Sequence, residues 1–200
     1  MMLTALSFIL AYLIGAISFS IIITKLIKKE DIRNFGSGNA GATNTMRVLG
    51  KGPAIIVLLL DVLKGIVAIL IAKAFGLEDW AVAVTGLLAI VGHNWPVYFG
   101  FRGGKGVATT IGVICMLLLT PGLIAGAVAI IVIILTRYVS LGSLIFTVGT
   151  PIVALIFGTY PVSFIIVSAV IAVLSIWKHR ANIGRLFSGT ESKIGSSAKK

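Results

Sequence analysis

Seven stretches, at about 3–24, 53–74, 80–92, 107–119, 122–135, 141–158 and 161–177, are nearly unbroken apolar runs bounded by Gly, Pro or charge. A helix made from such a run has no polar face to turn to water, so lipid or other helices must solvate it. In hydrocarbon the backbone must satisfy its own hydrogen bonds, which makes helices the spanning elements at these lengths. The expected fold is therefore an all-α integral membrane protein with seven transmembrane helices. A mean hydropathy of +1.11, with 58% hydrophobic and 12% charged residues, is outside the range of a soluble domain. Some spans are short. The run at 80–92 reaches only about 20 Å against a hydrocarbon core of about 30 Å, so flanking residues extend it or the bilayer thins. Thr120-Pro121-Gly122 predicts a hairpin within 107–135. The run at 3–24 lacks a basic n-region and an A-x-A-like site, and reads as a first span rather than a signal peptide.

Charge placement orients the spans. The net charge is +11, and nearly all the basic residues fall in the loops at 25–52, 93–106 and 136–140 and after the last span. Lys64, inside a span, and Lys73 are the exceptions. The positive-inside rule puts the N-terminus outside, the C-terminus in the cytoplasm and the large polar loops on the cytoplasmic face. The same placement explains the basic charge without nucleic acid, which is not an expected partner. Cys115 is the single cysteine, which excludes a disulfide scaffold. No repeat divides the chain. It reads as one membrane-embedded domain, 1–200, with polar segments at 33–52, 92–109 and 178–193 and a flexible tail at 194–200.

The first polar segment holds Gly36-Ser37-Gly38-Asn39-Ala40-Gly41-Ala42-Thr43-Asn44, followed by Thr45-Met46-Arg47. Alternating glycines let main-chain N–H groups approach an anion, and small polar side chains add donors. With a helix starting near Thr43, Asn44 and Arg47 share a face beside its N-terminus. The second segment runs from Gly92 to Thr109 and contains His93 and Gly103-Gly104-Lys105-Gly106 opening a helix, a backbone nest beside a point charge. It is not a Walker A loop: Phe99 stands where the first glycine is needed, and Gly106 where the metal-binding hydroxyl is needed. Trp95, Tyr98, Phe99 and Phe101 read as an interfacial aromatic belt. In the third segment, a continued helix would align His179, Asn182 and Arg185, with Glu191 further on. A basic anchor to anionic lipid would also account for that segment's charge, but an anchor has no use for His, Asn and Glu at set positions. Within the membrane, Asp61 and Lys64 lie three apart on one helix face and read as a structural ion pair, with a proton or ion path as the alternative. Gly122-x-x-x-Gly126 suits close helix packing.

Together these segments resemble the acyl-phosphate-dependent glycerol-3-phosphate acyltransferases of bacterial membranes, the PlsY family. The resemblance lies in its motifs G-S-G-N-x-G-A-T-N, G-H-x-x-P-V-F…F-K-G-G-K-G-V-A-T and K-H-x-x-N-I-x-R-L-x-x-G-x-E-x-K. Tyr98 and Arg102 replace the more usual Phe and Lys. The resemblance implies transfer of a fatty acyl group from acyl phosphate to the 1-hydroxyl of sn-glycerol 3-phosphate. The products are lysophosphatidic acid and inorganic phosphate, made at the cytoplasmic face of the bacterial inner membrane. Ser37, Arg47, Lys105, His179 and Asn182 are then the expected catalytic residues. Substrate contacts are expected from Gly36, Gly38, Asn39, Gly41, Thr43, Asn44, His93, Gly103, Gly104, Gly106, Thr109, Arg185 and Glu191. The glycines at 103, 104 and 106 with Lys105 would hold the acyl phosphate. Ser37, Arg47, His179 and Asn182 would orient glycerol phosphate.

The donor arrives activated, so no acyl-enzyme is needed, and the chain has neither a Gly-x-Ser-x-Gly elbow nor a His-x4-Asp pair. No cofactor or metal is expected. The partners are the two phosphate substrates and membrane lipid; a monomer is compatible with this reading, and the sequence leaves the oligomeric state open. Either His179 or the substrate's own phosphate, with a second pKa near 6 by analogy with phosphoserine, takes the hydroxyl proton; we favour the phosphate. On residue chemistry alone, a small transporter or channel for an anionic solute is the alternative.

Overall fold

The computed structural model describes residues 1–195. Among them the chain is all-helical, with ten α-helices, two single-turn 3-10 segments and no strand. It divides into two compact units, residues 1–116 and the stretch that begins at Leu117.

The first unit begins with α1 (Met2–Gly15) and α2 (Phe19–Lys28), which follow one another as a single broken span of 27 residues. A 3-10 turn at Ile32–Asn34 leads to α3 (Ala42–Leu49), α4 (Lys51–Ala74) and α5 (Asp79–Asn94); a second turn at Val97–Phe99 precedes α6 (Val107–Leu117). The buried face of α1 is Ser7, Ala11 and Gly15, a four-residue ladder of small side chains that lets another backbone approach. That backbone is α5: Ser7 Oγ lies 3.1 Å from Thr85 Oγ1, and a Cβ on Gly15 would run into the Ala89 carbonyl. Gly65 and Gly112 do the same for α4 and α6, since a Cβ on Gly112 would strike the Val62 carbonyl. On α4 the buried stripe includes Ala54, Val57, Asp61, Lys64, Gly65 and Ala68, while Ile55, Leu59, Leu63 and Leu70 face outward. Charge and small residues inside with large apolar residues outside is the pattern of a helix in lipid.

The second unit holds α7 (Leu119–Thr136), α8 (Val139–Phe157), α9 (Val162–Lys178) and α10 (Arg180–Phe187). Helices α7 and α8 pack where Gly142 meets Ala129, whose carbonyl lies 2.9 Å from where a Cβ on Gly142 would stand. Gly126 does not mark a close approach, because a Cβ there would have ordinary contact with Phe146 at 3.9 Å. The turn between α7 and α8 closes on Arg137, at φ 64°. Ile194 N–H donates to the Arg137 carbonyl at 2.8 Å, and Arg137 Nη2 returns a bond to the Ile194 carbonyl at 2.9 Å. The expected flexible tail is thus fastened at Ile194, and the rest of it after Gly195 lies outside the described residues.

All seven expected runs form helices, but not all have the length of a span. Among the described residues five helices, the broken pair counted once, are long and apolar enough to cross a membrane, and six are if α9 and α10 are taken together. Helix α6 has 11 residues and rises only about 17 Å. Two local expectations change. The interruption in 107–135 falls at Leu118, at φ −139° and ψ 53°, rather than at Thr120-Pro121-Gly122. Pro121 sits in the first turn of α7, where a missing N–H costs nothing. The last helix does not continue straight through His179, since α9 and α10 meet there at 61°.

Candidate active site

In the first unit the two glycine-rich segments are stitched together by Arg33. Its Nε and Nη2 grip Asp31 Oδ1 and Oδ2 at 3.0 and 2.7 Å. Its Nη1 reaches across to the carbonyls of Phe99 and Arg102 at 2.7 and 3.1 Å. Asp31 also caps the Ile32–Asn34 turn by accepting from Arg33 N–H at 3.0 Å. The Arg33 hydrogen bonds hold the Asp31 carboxyl below its ordinary pKa, against the opposing effect of partial burial. A planar guanidinium serves all these acceptors at once and an ammonium cannot. Arg33→Lys is therefore expected to fail like Arg33→Ala, each raising KM about tenfold in a steady-state assay at unchanged expression. Full rescue by lysine would show that charge alone matters.

Asn44 organises the first segment from inside. Its Oδ1 accepts from Ser37 N–H at 2.9 Å, and its Nδ2 donates to the Ile32 and Phe35 carbonyls at 3.2 and 3.0 Å. Asn44 is buried and spends its polar groups on the loop's main chain. It holds the turn in which Gly36 and Gly38 stand at φ 58° and 69°. A Cβ on Gly36 would collide with Asn44 Oδ1. Ser37 is exposed at the top of this turn, while Asn39, Gly41, Thr43 and Arg47 are partly buried. Thr43 lies in the first turn of α3 and Arg47 in its last.

The second segment packs by close backbone approach. Gly104 N–H donates to the His93 carbonyl at 3.2 Å. A Cβ on Gly103 would meet that same carbonyl, and one on Gly104 would meet both His93 Nε2 and the Ala40 carbonyl. The segments thus touch at Gly104. Gly106, at φ 81°, would place a Cβ 2.9 Å from Asn94 Oδ1 and leads directly into α6. The expectation that all three glycine amides cradle an anion needs correction at Gly104, whose N–H is spent within the protein. Lys105 is partly buried between Gly104 and Gly106, and Thr109 is buried in α6.

His93 is buried at the end of α5. Its Nδ1 lies 2.9 Å from Lys64 Nζ, and Lys64 Nζ lies 2.8 Å from Asp61 Oδ1. The expected Asp61–Lys64 ion pair is present. What sequence reasoning missed is its third member, because nothing in the chain's order links α4 to the end of α5.

In the second unit Glu191 is the organising group. Ser140 Oγ and Asn182 Nδ2 donate to its Oε1 at 2.8 and 2.6 Å, and Arg185 Nε donates to its Oε2 at 2.7 Å. Burial by itself would raise the Glu191 pKa, but these bonds and the Arg185 charge hold it below the ordinary value. His179 is buried at the α9–α10 bend. Its Nδ1 lies 2.8 Å from the Ser175 carbonyl. A carbonyl only accepts, so Nδ1 carries the proton and Nε2 is the basic nitrogen of the neutral ring. Ser175 in turn receives a bond from Thr147 at 3.0 Å. Arg33, Ser140 and Ser175 went unnoticed in the sequence; only the spacing Asp31-x-Arg33 offered a local signal, that of a capped turn.

Residues 5–189 match the glycerol-3-phosphate acyltransferase family. The chain belongs to that family. It is 61% identical over 189 residues to a glycerol-3-phosphate acyltransferase of Shouchella clausii (strain KSM-K16), covering 92% of each chain. Its fold is similar to two crystal structures of PlsY (YgiH), an integral membrane glycerol 3-phosphate acyltransferase. The glycerol 3-phosphate form superposes with a TM-score of 0.90 at 44% identity, covering 96% of both chains. The lysophosphatidic acid form gives 0.87 at 42%, covering 96% of this chain and 95% of that one. The chain is thus a multi-pass membrane protein of an acyltransferase family, and its glycine-rich segments are to be judged by what acyl transfer to a phosphate-bearing alcohol needs.

Proposed function

We propose that this chain transfers a fatty acyl group from acyl phosphate to the 1-hydroxyl of sn-glycerol 3-phosphate, giving lysophosphatidic acid and inorganic phosphate. The observation that carries the reading is the pair of glycine-rich loops bearing Ser37 and Lys105, locked together by Arg33, with Arg47 on the helix that follows the first. They occur in a chain 44% identical to an enzyme crystallised in its glycerol 3-phosphate form. Attack of the hydroxyl oxygen on the acyl carbon expels phosphate, so the protein's task is to neutralise anionic charge and align two reactants.

Lys105 with the Gly103 and Gly106 amides takes the acyl phosphate and the developing oxyanion. Ser37, Arg47 and the start of α3 take the other phosphate. Gly36, Gly38, Asn39, Gly41, Thr43 and Asn44 shape that loop, with Gly104, His93 and Thr109 behind the second. From the C-terminal segment, His179 and Asn182 orient glycerol phosphate, with Arg185 and Glu191 fixing Asn182. The hydroxyl proton passes to the substrate's own phosphate, whose second pKa near 6 suits the task. We place the polar loops on the cytoplasmic side of the bacterial inner membrane, with the N-terminus outside, seven crossings and a single acyltransferase domain over residues 1–200.

Purified protein supplied with acyl phosphate and glycerol 3-phosphate is expected to release one inorganic phosphate per lysophosphatidate formed. Lys105→Ala should slow this about 100-fold. A transporter releases no phosphate, and a Lys105→Ala protein with unchanged turnover would remove the loop from the reaction.

A further inference from the structure

The segment after α10 is tied to the junction of α7 and α8 at several points that share one register. Arg137 Nε and Nη2 donate to the Ile194 carbonyl at 3.2 and 2.9 Å, and Ile194 N–H donates back to the Arg137 carbonyl at 2.8 Å. Lys193 Nζ stands 5.5 Å from the centre of the Tyr138 ring, a cation over an aromatic face. Ser140 Oγ donates to Glu191 Oε1 at 2.8 Å. Arg137 thus meets Ile194, Tyr138 meets Lys193 and Ser140 meets Glu191, so the segment runs antiparallel along the junction as a strap. A slip of one residue would break these ties together.

Glycine would serve the turn at Arg137 better than arginine does. The residue closes α7 in the left-handed region, at φ 64°, where a side chain is disfavoured and glycine is the usual occupant. Arg137 is also exposed, and holding a long side chain in one geometry costs conformational entropy. What arginine adds is the grip on Ile194. At the other end of the strap Gly189, at φ 69°, turns the chain back from α10, and Thr190 N–H donates to the Arg185 carbonyl at 2.8 Å. Glu191 lies between these two anchors. It accepts from Asn182 at Oε1 and from Arg185 at Oε2, so the register of the strap decides where both side chains stand.

We propose that Arg137 is a positioning residue: by clamping Ile194 it sets the register of the strap, and through Glu191 it places Asn182, to which the proposed reaction gives the orientation of glycerol 3-phosphate. The substrate named here rests on the acyltransferase reading, but the clamp does not, and the two are tested apart. Arg137→Gly in full-length protein suits φ 64° and lacks the guanidinium, so its thermal midpoint in detergent should not fall. Trypsin should cut after Lys193 about fivefold faster than in the unaltered protein, read by mass, because the Lys193–Ile194 bond must leave the strap to be cut. KM for glycerol 3-phosphate should rise about fivefold, with kcat at saturation within about twofold. Lys29→Gly makes the same exchange at φ 64° at the end of α2, in the first unit, and should leave both readouts within about twofold. An unchanged cleavage rate in Arg137→Gly overturns the clamp, whatever the reaction. Faster cleavage with an unchanged KM overturns the positioning role, as would a KM rise of equal size in Lys29→Gly, and a lowered midpoint would make Arg137 structural only. Phosphate release by the unaltered protein separates these failures from a failure of the acyltransferase reading.

Discussion

Gly104→Ala is expected to lower turnover about 100-fold while leaving helix content and expression unchanged. The added methyl group would overlap the Ala40 carbonyl and His93 Nε2 together. One is backbone in the neighbouring loop, and the other is a ring held by Lys64 at 2.9 Å. Neither is the loose end of a flexible side chain, so the loop itself must move. Overpacking of this kind costs about 1–3 kcal/mol, and a reacting group displaced by about 1 Å loses about 100-fold in rate. Lys105 follows Gly104 directly and moves with it. Gly52→Ala is the control, because a Cβ there meets nothing within 4 Å and alanine is the better helix former. Steady-state turnover of the two variants decides the matter. Equal activity would mean that Gly104 marks no close approach between the loops.

Glu191→Ala is expected to destabilise the second unit by about 3 kcal/mol, from three hydrogen bonds at about 1 kcal/mol each. The side chain is 5% exposed. Its loss removes an acceptor from the buried Asn182 amide, from the Ser140 hydroxyl and from Arg185. Glutamine should not restore the native state, because its amide nitrogen cannot accept from the donor that faced the lost oxygen. The pH dependence has a definite sign. The folded pKa of Glu191 lies below its ordinary value of 4.5. Its contribution is therefore complete above pH 4.5 and is lost as pH falls through the folded value. Thermal midpoints in detergent between pH 7 and pH 3 should fall more steeply for the unaltered protein than for Glu191→Gln. Parallel curves would deny Glu191 this role, as would an unaltered midpoint in Glu191→Ala.

The parts of this protein that were legible in its sequence are those that neighbours in the chain decide. Apolar runs of these lengths dictated helices because a helix satisfies its own backbone hydrogen bonds in hydrocarbon. The four-residue step from Ser7 to Ala11 to Gly15 could have announced the α1–α5 contact, since small residues on one face permit backbones to touch. Gly122-x-x-x-Gly126 shows how weak that signal is alone, because a Cβ on Gly126 meets only ordinary contact at 3.9 Å. Pro121 was similarly ambiguous. The same residue serves a hairpin or the first turn of a helix, and the break fell at Leu118.

By itself the sequence determined the helical class, the membrane environment, the Asp61–Lys64 pair at three-residue spacing and the glycine-rich loops with their basic residues. Each follows from local stereochemistry or from the cost of moving charge out of water. Only the tertiary structure decided what those residues are attached to. It joined Arg33 to the carbonyls of Phe99 and Arg102, Lys64 to His93 and Ser140 to Glu191. It also turned Asn44 inward to hold its own loop and spent the Gly104 amide on His93. These partners lie far apart along the chain or are chosen by how a loop closes. A hydrogen bond forms with whichever group packing brings within about 3 Å, and residue order does not encode that distance.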